Sequence, residues 1–342
     1  MYILGIESSC DDSAASVLDY NPDSKNLAVL SNIISSQIEI HSKYGGVIPE
    51  VAAREHVLNI LPVIDEALSA AKINPNDLAA IAVTKGPGLI TSLITGLETA
   101  RSLSFAWKKP LVGVNHIEGH IYANFINPDF NIKLPAIILT VSGGHTILLH
   151  MDENRLIKII GETRDDAAGE AFDKAAQMLG LAYPGGPAIS REAAKAKNPA
   201  PCQLPRPMLN SPDYDFSFSG LKTALLYALK KDSNWKDGIP EYCQEFQQAV
   251  VDILSAKTIK AAKNYQVASV MLAGGVSANK SLRESLAAAV SQKLPGREFL
   301  CPKPQYTTDN AAMIAAAGAF KLAAGQSSDY RDIKVDACLQ LN

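Results

Sequence analysis

The chain has 342 residues, 47% of them hydrophobic, and a formal charge of −3 at pH 7. That length and apolar content suffice for a large core arranged as two domains or lobes, and the charge is poor for a protein that must hold nucleic acid unaided. Five scattered cysteines (Cys10, Cys202, Cys243, Cys301, Cys338) never form a Cys-x-x-Cys pair, which fits a reducing cytoplasm and argues against a disulfide framework or a thiolate zinc site.

The opening run Met1-Tyr2-Ile3-Leu4-Gly5-Ile6-Glu7 has no basic leader, and nothing approaches the ~18 apolar residues of a membrane-spanning helix, so neither secretion nor membrane insertion is expected. Strand patterns fall at 2–7, 14–19, 27–34, 79–84 and 111–114, then at 136–141, 146–151, 156–160, 269–273 and 298–301. Helical patterns cover 49–71 (with a break expected at Pro62), 89–107, 117–125, 167–179, 187–196, 221–231, 240–265, 280–292 and 310–324. Strands alternating with helices make this an α/β protein.

One arrangement occurs twice. A hydrophobic strand runs into the small polar turn Glu7-Ser8-Ser9-Cys10-Asp11-Asp12-Ser13 and then a second strand; later, 137–141 leads into Ser142-Gly143-Gly144-His145 and a second strand again. Two βββαβα halves, each with a small-residue hairpin turn, is the plan of the actin-like/hexokinase-like (ASKHA) superfold, in which the turns hold phosphates around a cleft between two lobes. Gly and Ser suit that task because they let backbone N–H groups line an anion, although an ordinary hairpin explains either turn taken singly. The expected lobes are 1–131 and 132–342, with the helix over 310–324 able to pack back on the first.

Two strand-to-helix turns also contain glycines. Lys85-Gly86-Pro87-Gly88 reads as structural. In Ala273-Gly274-Gly275-Val276-Ser277-Ala278-Asn279, two adjacent glycines ahead of a helix suggest close approach to a planar or phosphorylated ligand, with Ser277 or Asn279 as a simple N-cap the alternative.

The most telling residues are His116 and His120 in Asn115-His116-Ile117-Glu118-Gly119-His120. Histidines four apart on a helix share a face and make a two-point metal clamp. In the zinc-protease signature His-Glu-x-x-His the glutamate is the general base. Here Glu118 lies about 200° around the helix from His116, away from any metal. Such sites usually add a third protein ligand, often a carboxylate. Spacing cannot choose it. Asp309, at the start of a small-residue helix, is attractive, and Thr308 or Asp309 as an ordinary N-cap is the competing reading. From Ser190 to Lys236, eight basic residues (Arg191, Lys195, Lys197, Arg206, Lys222, Lys230, Lys231, Lys236) face four acids (Glu192, Asp213, Asp215, Asp232), a net +4 that leaves −7 for the rest. This is either a solvated lysine-rich surface or a polyanion-facing one.

Several blocks, in order over essentially the whole chain, resemble the TsaD family of tRNA N6-adenosine threonylcarbamoyltransferases. They are Leu4–Asp12, His41–His56 with Tyr44-Gly45-Gly46-Val47-Ile48-Pro49-Glu50 inside it, Arg101–His120, Val141–Thr146, Asp165–Lys174, Tyr183-Pro184-Gly185-Gly186, Phe216–Ala224 and Gly274–Asn279. The resemblance implies a cytoplasmic acyltransferase that moves the threonylcarbamoyl group from threonylcarbamoyl-AMP to N6 of adenosine 37 in tRNAs reading codons that begin with A. It implies one divalent metal per subunit, iron(II) or else zinc, held by His116, His120 and Asp309. It implies that Thr140, Val141, Ser142, Gly143 and Gly144, with Asp173, Gly186 and Asn279, hold the adenylate. Expected partners are tRNA, a TsaB-like paralogue and a TsaE-like ATPase.

Asp11 or Asp12 is a candidate for removing the proton from the attacking amine, against solvation of the turn. Three departures stand out. Asp12 replaces the longer glutamate of many relatives. His145 replaces an asparagine of archaeal and eukaryotic relatives, which points to the bacterial type. Thr140 occupies the place of a metal-binding tyrosine of archaeal relatives, so a fourth protein ligand is not expected. The rival readings are a metal-dependent peptidase, which misplaced Glu118 disfavours, a nucleotide-binding regulatory subunit, which predicts an incomplete ligand set, and a sugar or acid kinase, for which no catalytic base stands out.

Overall fold

The computed structural model describes residues 1–126 and 132–341. They form two compact units, Met1–Asn131 with Pro302–Asn342, and Ile132–Cys301. Residue 131, where the expected boundary falls, lies outside the described residues. The second unit stops at Cys301, so all of 302–342, and not its helix alone, is grouped with the first.

The first unit runs β1 (Tyr2–Glu7), β2 (Asp12–Asn21), β3 (Asn26–Ser36), α1 (Ile38–His41), α2 (Pro49–Ala71), β4 (Leu78–Gly86), α3 (Ile90–Trp107), β5 (Leu111–Asn115) and α4 (His116–Tyr122). Its sheet has the order β3-β2-β1-β4-β5, antiparallel through β3, β2 and β1, with β4 and β5 parallel to β1. Side chains alternate between its faces. Ile3, Ala80, Ala82, Val112 and Val114 pack on one side, and Leu4, Ile6, Ile81 and Val83 on the other with α2 and α3. The expected break at Pro62 is absent, and α2 is continuous through it. Pro62 lies on the exposed face beside exposed Leu58, so the carbonyl that loses its helical donor can bond water.

The second unit runs β6 (Ala136–Val141), β7 (Thr146–Met151), β8 (Ile157–Glu162), α5 (Ala168–Met178), α6 (Gly185–Ala193), α7 (Ser219–Lys231), α8 (Ile239–Asn264), β9 (Ser269–Ala273), α9 (Lys280–Lys293) and β10 (Glu298–Leu300). Its sheet order, β10-β9-β6-β7-β8, repeats the first: three antiparallel strands, then two parallel to the first of them. The duplication read from the two hairpin turns is thus a duplication of topology.

The last helix, α10 (Ala311–Ala323), belongs to the first unit, and its first ten residues, Ala311–Phe320, are all buried. Small side chains let it lie against the sheet. A Cβ on Gly5 would overlap the Ala311 carbonyl oxygen, and one on Gly318 would overlap Ala82 Cβ. This contact sets where residue 309 sits.

A candidate metal centre and a glycine-lined region

Strand β5 turns directly into α4. Asn115 is the N-cap, its Oδ1 accepting from the N–H groups of Ile117 (2.9 Å) and Glu118 (3.4 Å). Helix geometry then brings His116 and His120 onto one face, with ring centroids 4.7 Å apart and nearly perpendicular. Helix α4 packs close to α10, for a Cβ on Gly119 would lie 2.7 Å from Ile314 Cδ1.

Asp309 precedes α10, and the cap there is Asn310, whose Oδ1 accepts from Met313 N–H at 3.1 Å. The capping alternative for Thr308 and Asp309 therefore falls. Asp309 Oδ1 stands 3.2 Å from His120 Nε2 and 3.6 Å from His116 Nε2. One ligand atom from each of the three residues lies within 4.8 Å of the others, a group able to hold a metal ion. His120 is 1% exposed, and neither ring nitrogen makes a hydrogen bond of acceptable geometry. A buried imidazole in that state is costly, and a cation between the three side chains would offset the cost. Two imidazoles and a carboxylate suit zinc or iron(II).

Glu118 faces the other way and pairs with Lys321 of α10 at 2.9 Å. The helical-wheel argument against a peptidase base therefore holds in three dimensions.

The surroundings of the group are strongly acidic. Burial works to lower the His116 pKa, but the carboxylates of Asp309 and Glu7 outweigh it and carry it to about 9. Burial pushes the His120 pKa down despite Asp309, with His116 adding to the effect. Asp11 and Asp12 both reach the field of Asp309. Burial raises the Asp11 pKa, and burial with the charges of Asp11 and Asp309 lifts Asp12 to about 7 against a hydrogen bond from Ser36. One oxygen of Asp12, Oδ1, is buried without a hydrogen bond. The two carboxylates singled out in the sequence thus stand near the candidate metal group, and Asp12 titrates in a range useful to a general base.

The other expected site residues lie in the second unit: Thr140–Gly144 and Asn279 at or just beyond the carboxyl ends of β6 and β9, where open α/β sheets place ligands, and Asp173 and Gly186 in α5 and α6. Thr140 and Val141 end β6 and are fully buried, while Gly143 and Gly144 are exposed in the hairpin turn. Gly274, at φ +85°, sits so close that a Cβ would overlap the Val141 carbonyl, and Gly169 N–H of α5 donates to Ser142 O at 3.2 Å. Asp173 Oδ1 accepts from Gly185 N–H at 2.7 Å, which anchors the turn containing Gly186. Burial raises the Asp173 pKa against the N–H groups of Gly185 and Gly186.

Gly143, Gly144, Gly186 and Gly275 have no left-handed φ, and a Cβ on any of them would meet nothing. Neither conformation nor packing requires glycine there, which leaves bare backbone open to a ligand. Asn279 differs. Its Oδ1 caps α9 through Leu282 N–H (3.1 Å), and its amide donates to Ser190 Oγ (3.1 Å) and Gln247 Oε1 (3.0 Å). Its N-cap reading is therefore correct, and its side chain ties the turn to α6 and α8.

Sequence reasoning missed Glu7 and Ser9, which meet His116 Nδ1, and Thr84, which hydrogen-bonds to Glu7. An acid closing an otherwise apolar strand was the available signal. The structural reading of Lys85–Gly88 holds. At Gly86 and Gly88, with φ +145° and +156°, a Cβ would overlap the Asp336 and Ser9 carbonyl oxygens.

Comparison with known proteins adds an independent line. The family model described as "TsaD: tRNA N6-adenosine threonylcarbamoyltransferase" matches residues 28–316. A protein of Thermosipho melanesiensis named tRNA N6-adenosine threonylcarbamoyltransferase is 50% identical over 344 residues, covering 100% of both chains. A Bacillus subtilis protein of the same name is 48% identical over 332 residues, covering 96% of this chain and 93% of its own. Among solved structures, T.kodakarensis HypF aligns at TM-score 0.63 and 14% identity, over 95% of this chain and 48% of that one. The activator of the 2-hydroxyisocaproyl-CoA dehydratase from Clostridium difficile aligns at TM-score 0.54 and 15% identity, over 95% and 96%. At such identities the likeness is one of fold, the actin-like/hexokinase-like α/β superfold.

Proposed function

The chain belongs to the tRNA N6-adenosine threonylcarbamoyltransferase family and is a transferase of that kind; from this premise we propose a division of labour among its residues. His116, His120 and Asp309 hold one divalent metal, iron(II) in preference to zinc. Thr140–Gly144, Asp173, Gly186 and Asn279 form the region that takes threonylcarbamoyl-AMP, with Asn279 acting by fixing the Gly274–Asn279 turn. The observation that carries the reading is the His-His-Asp group, with ligand atoms within 4.8 Å and a buried imidazole left without a good hydrogen bond.

In the reaction the N6 amine of adenosine 37, in tRNAs reading codons that begin with A, attacks the carbonyl carbon of the threonylcarbamoyl group. A C–N bond forms, the C–O bond to the phosphate breaks, AMP leaves, and the amine gives up one proton. A bound metal supplies Lewis-acid stabilisation of negative charge on the substrate's oxygens. The bare backbone at Gly143, Gly144, Gly186 and Gly275 lets N–H groups line the adenylate. Asp12, with Asp11 beside it, accepts the amine proton. No covalent nucleophile is needed, since an adenylate already carries a good leaving group.

No helix among the described residues is long and apolar enough to cross a membrane. A cytoplasmic setting, where tRNA is modified, and work alongside a TsaB-like paralogue and a TsaE-like ATPase belong to the same proposal. Two features support it. Val57, Leu58 and Leu61 of α2 and Ile90 and Ile94 of α3 are exposed apolar residues on neighbouring helices, the kind of surface a protein partner covers. Arg191, Lys197, Lys230, Lys231 and Lys236 are exposed basic residues in the 190–236 stretch, suited to tRNA phosphates.

The test is a transfer assay with purified threonylcarbamoyl-AMP and tRNA, with and without metal. Asp309→Ala is expected to lose metal binding and to lower transfer at least ~100-fold, as removal of a group stabilising transition-state charge does. Full transfer by metal-free wild-type protein or by the variant would refute the assignment.

A further inference from the structure

Glu7 closes β1 with its carboxylate fully buried, and no basic side chain other than His116 pairs with it among the described residues. Burying an anion this way is costly unless its oxygens are satisfied. Here they are. Glu7 Oε1 accepts from Ser9 N–H at 2.6 Å, and Oε2 accepts from Thr84 Oγ at 2.7 Å. The remaining contact is to His116, whose Nδ1 lies 3.1 Å from Oε2, with Ser9 Oγ 3.0 Å from the same nitrogen.

An ionised carboxylate can only accept, so Nδ1 must carry the hydrogen. Nε2, the nitrogen on the Asp309 side, is then the one that would give up its proton to a metal. We propose that Glu7, held by Thr84 and the Ser9 backbone, is a positioning residue that fixes the tautomer and orientation of His116 and makes its Nε2 a stronger metal ligand. Glu7 is not one of the three ligands and meets the far side of the imidazole. Such carboxylate–histidine pairs are how proteins orient metal-ligating imidazoles, and losing the outer partner lowers metal affinity by ~10–100-fold. The inference rests on the assignment of the metal group above.

The experiment is titration of the full chain with cobalt(II), followed by its visible absorption and checked with zinc(II) by competition. Glu7→Gln is expected to bind ~10–100-fold more weakly, with the absorption bands of the saturated complex unchanged because the ligands are the same. Thr84→Val, which touches no ligand, is expected to show a smaller loss in the same direction, and it decides the matter if Glu7→Gln does not fold. Wild-type affinity in Glu7→Gln, or in Thr84→Val should that variant alone fold, overturns the proposal. Altered bands at saturation overturn it too, since they would make Glu7 a ligand. His120→Ala separates this failure from that of the underlying reading: if it binds like wild type, the metal group itself is wrongly assigned.

Discussion

At the scale of single residues, Asp12 is where electrostatics makes the clearest demand. Its pKa is carried to about 7 chiefly by burial, with Asp11 and Asp309 adding to it. An aspartate in the unfolded chain titrates near ~3.9. The folded protein therefore keeps a proton that the unfolded chain has released, and stability falls as pH rises from about 4 to about 7. Asp12→Asn removes that cost. In metal-free protein it is expected to raise the melting temperature more at pH 8 than at pH 5, read by a thermal scan at each pH. The same variant and Asp11→Asn are expected to slow single-turnover transfer, and wild-type rates in both would remove the proton-acceptor role. The His pair and the misplacement of Glu118 were legible from spacing, because a helix fixes which residues share a face. The partner of Glu118, Lys321, was not, since it arrives from about two hundred residues further along the chain.

Among elements, the contact between α10 and the first sheet governs the metal group. Gly5 lets the α10 backbone touch β1, and a Cβ there would overlap the Ala311 carbonyl oxygen and reach Ala315 N. Backbone on both sides leaves little room to give. Gly5→Ala is expected to destabilise the protein by ~1–3 kcal/mol, the usual cost of overpacking, measured by denaturant unfolding of metal-free protein. Since Asp309 lies two residues before α10, metal affinity should fall as well; unchanged stability together with unchanged affinity would show that α10 yields without cost. The strands were read from sequence almost to the residue because their apolar runs are bounded by turn residues. The break expected at Pro62 was wrong because the exposed side of α2 there carries apolar Val57, Leu58 and Leu61, so periodicity does not mark it as the side facing water.

Taken as a whole, the molecule combines a net charge of −3 with a basic stretch and an apolar stripe on its surface. Weak tRNA binding by the isolated chain is the expectation, tightened by the paralogue. In a filter-binding experiment Lys230→Glu with Lys231→Glu should flatten the salt dependence, and Leu58→Glu with Leu61→Glu should abolish the partner's contribution. Tight binding by the chain alone, indifferent to both pairs of changes, would contradict the expectation. Sequence by itself determined the α/β class, the doubled hairpin plan, the histidine clamp and the family, for these depend on local periodicity, turn chemistry and ordered motifs. Only the tertiary structure decided that Asp309 is spared capping duty and meets both imidazoles, that Asn279 spends its side chain inside the fold, and that Glu7 stands behind His116. Each of these depends on which distant segments are brought within ~3 Å of one another, and hydrogen bonds act only over that range.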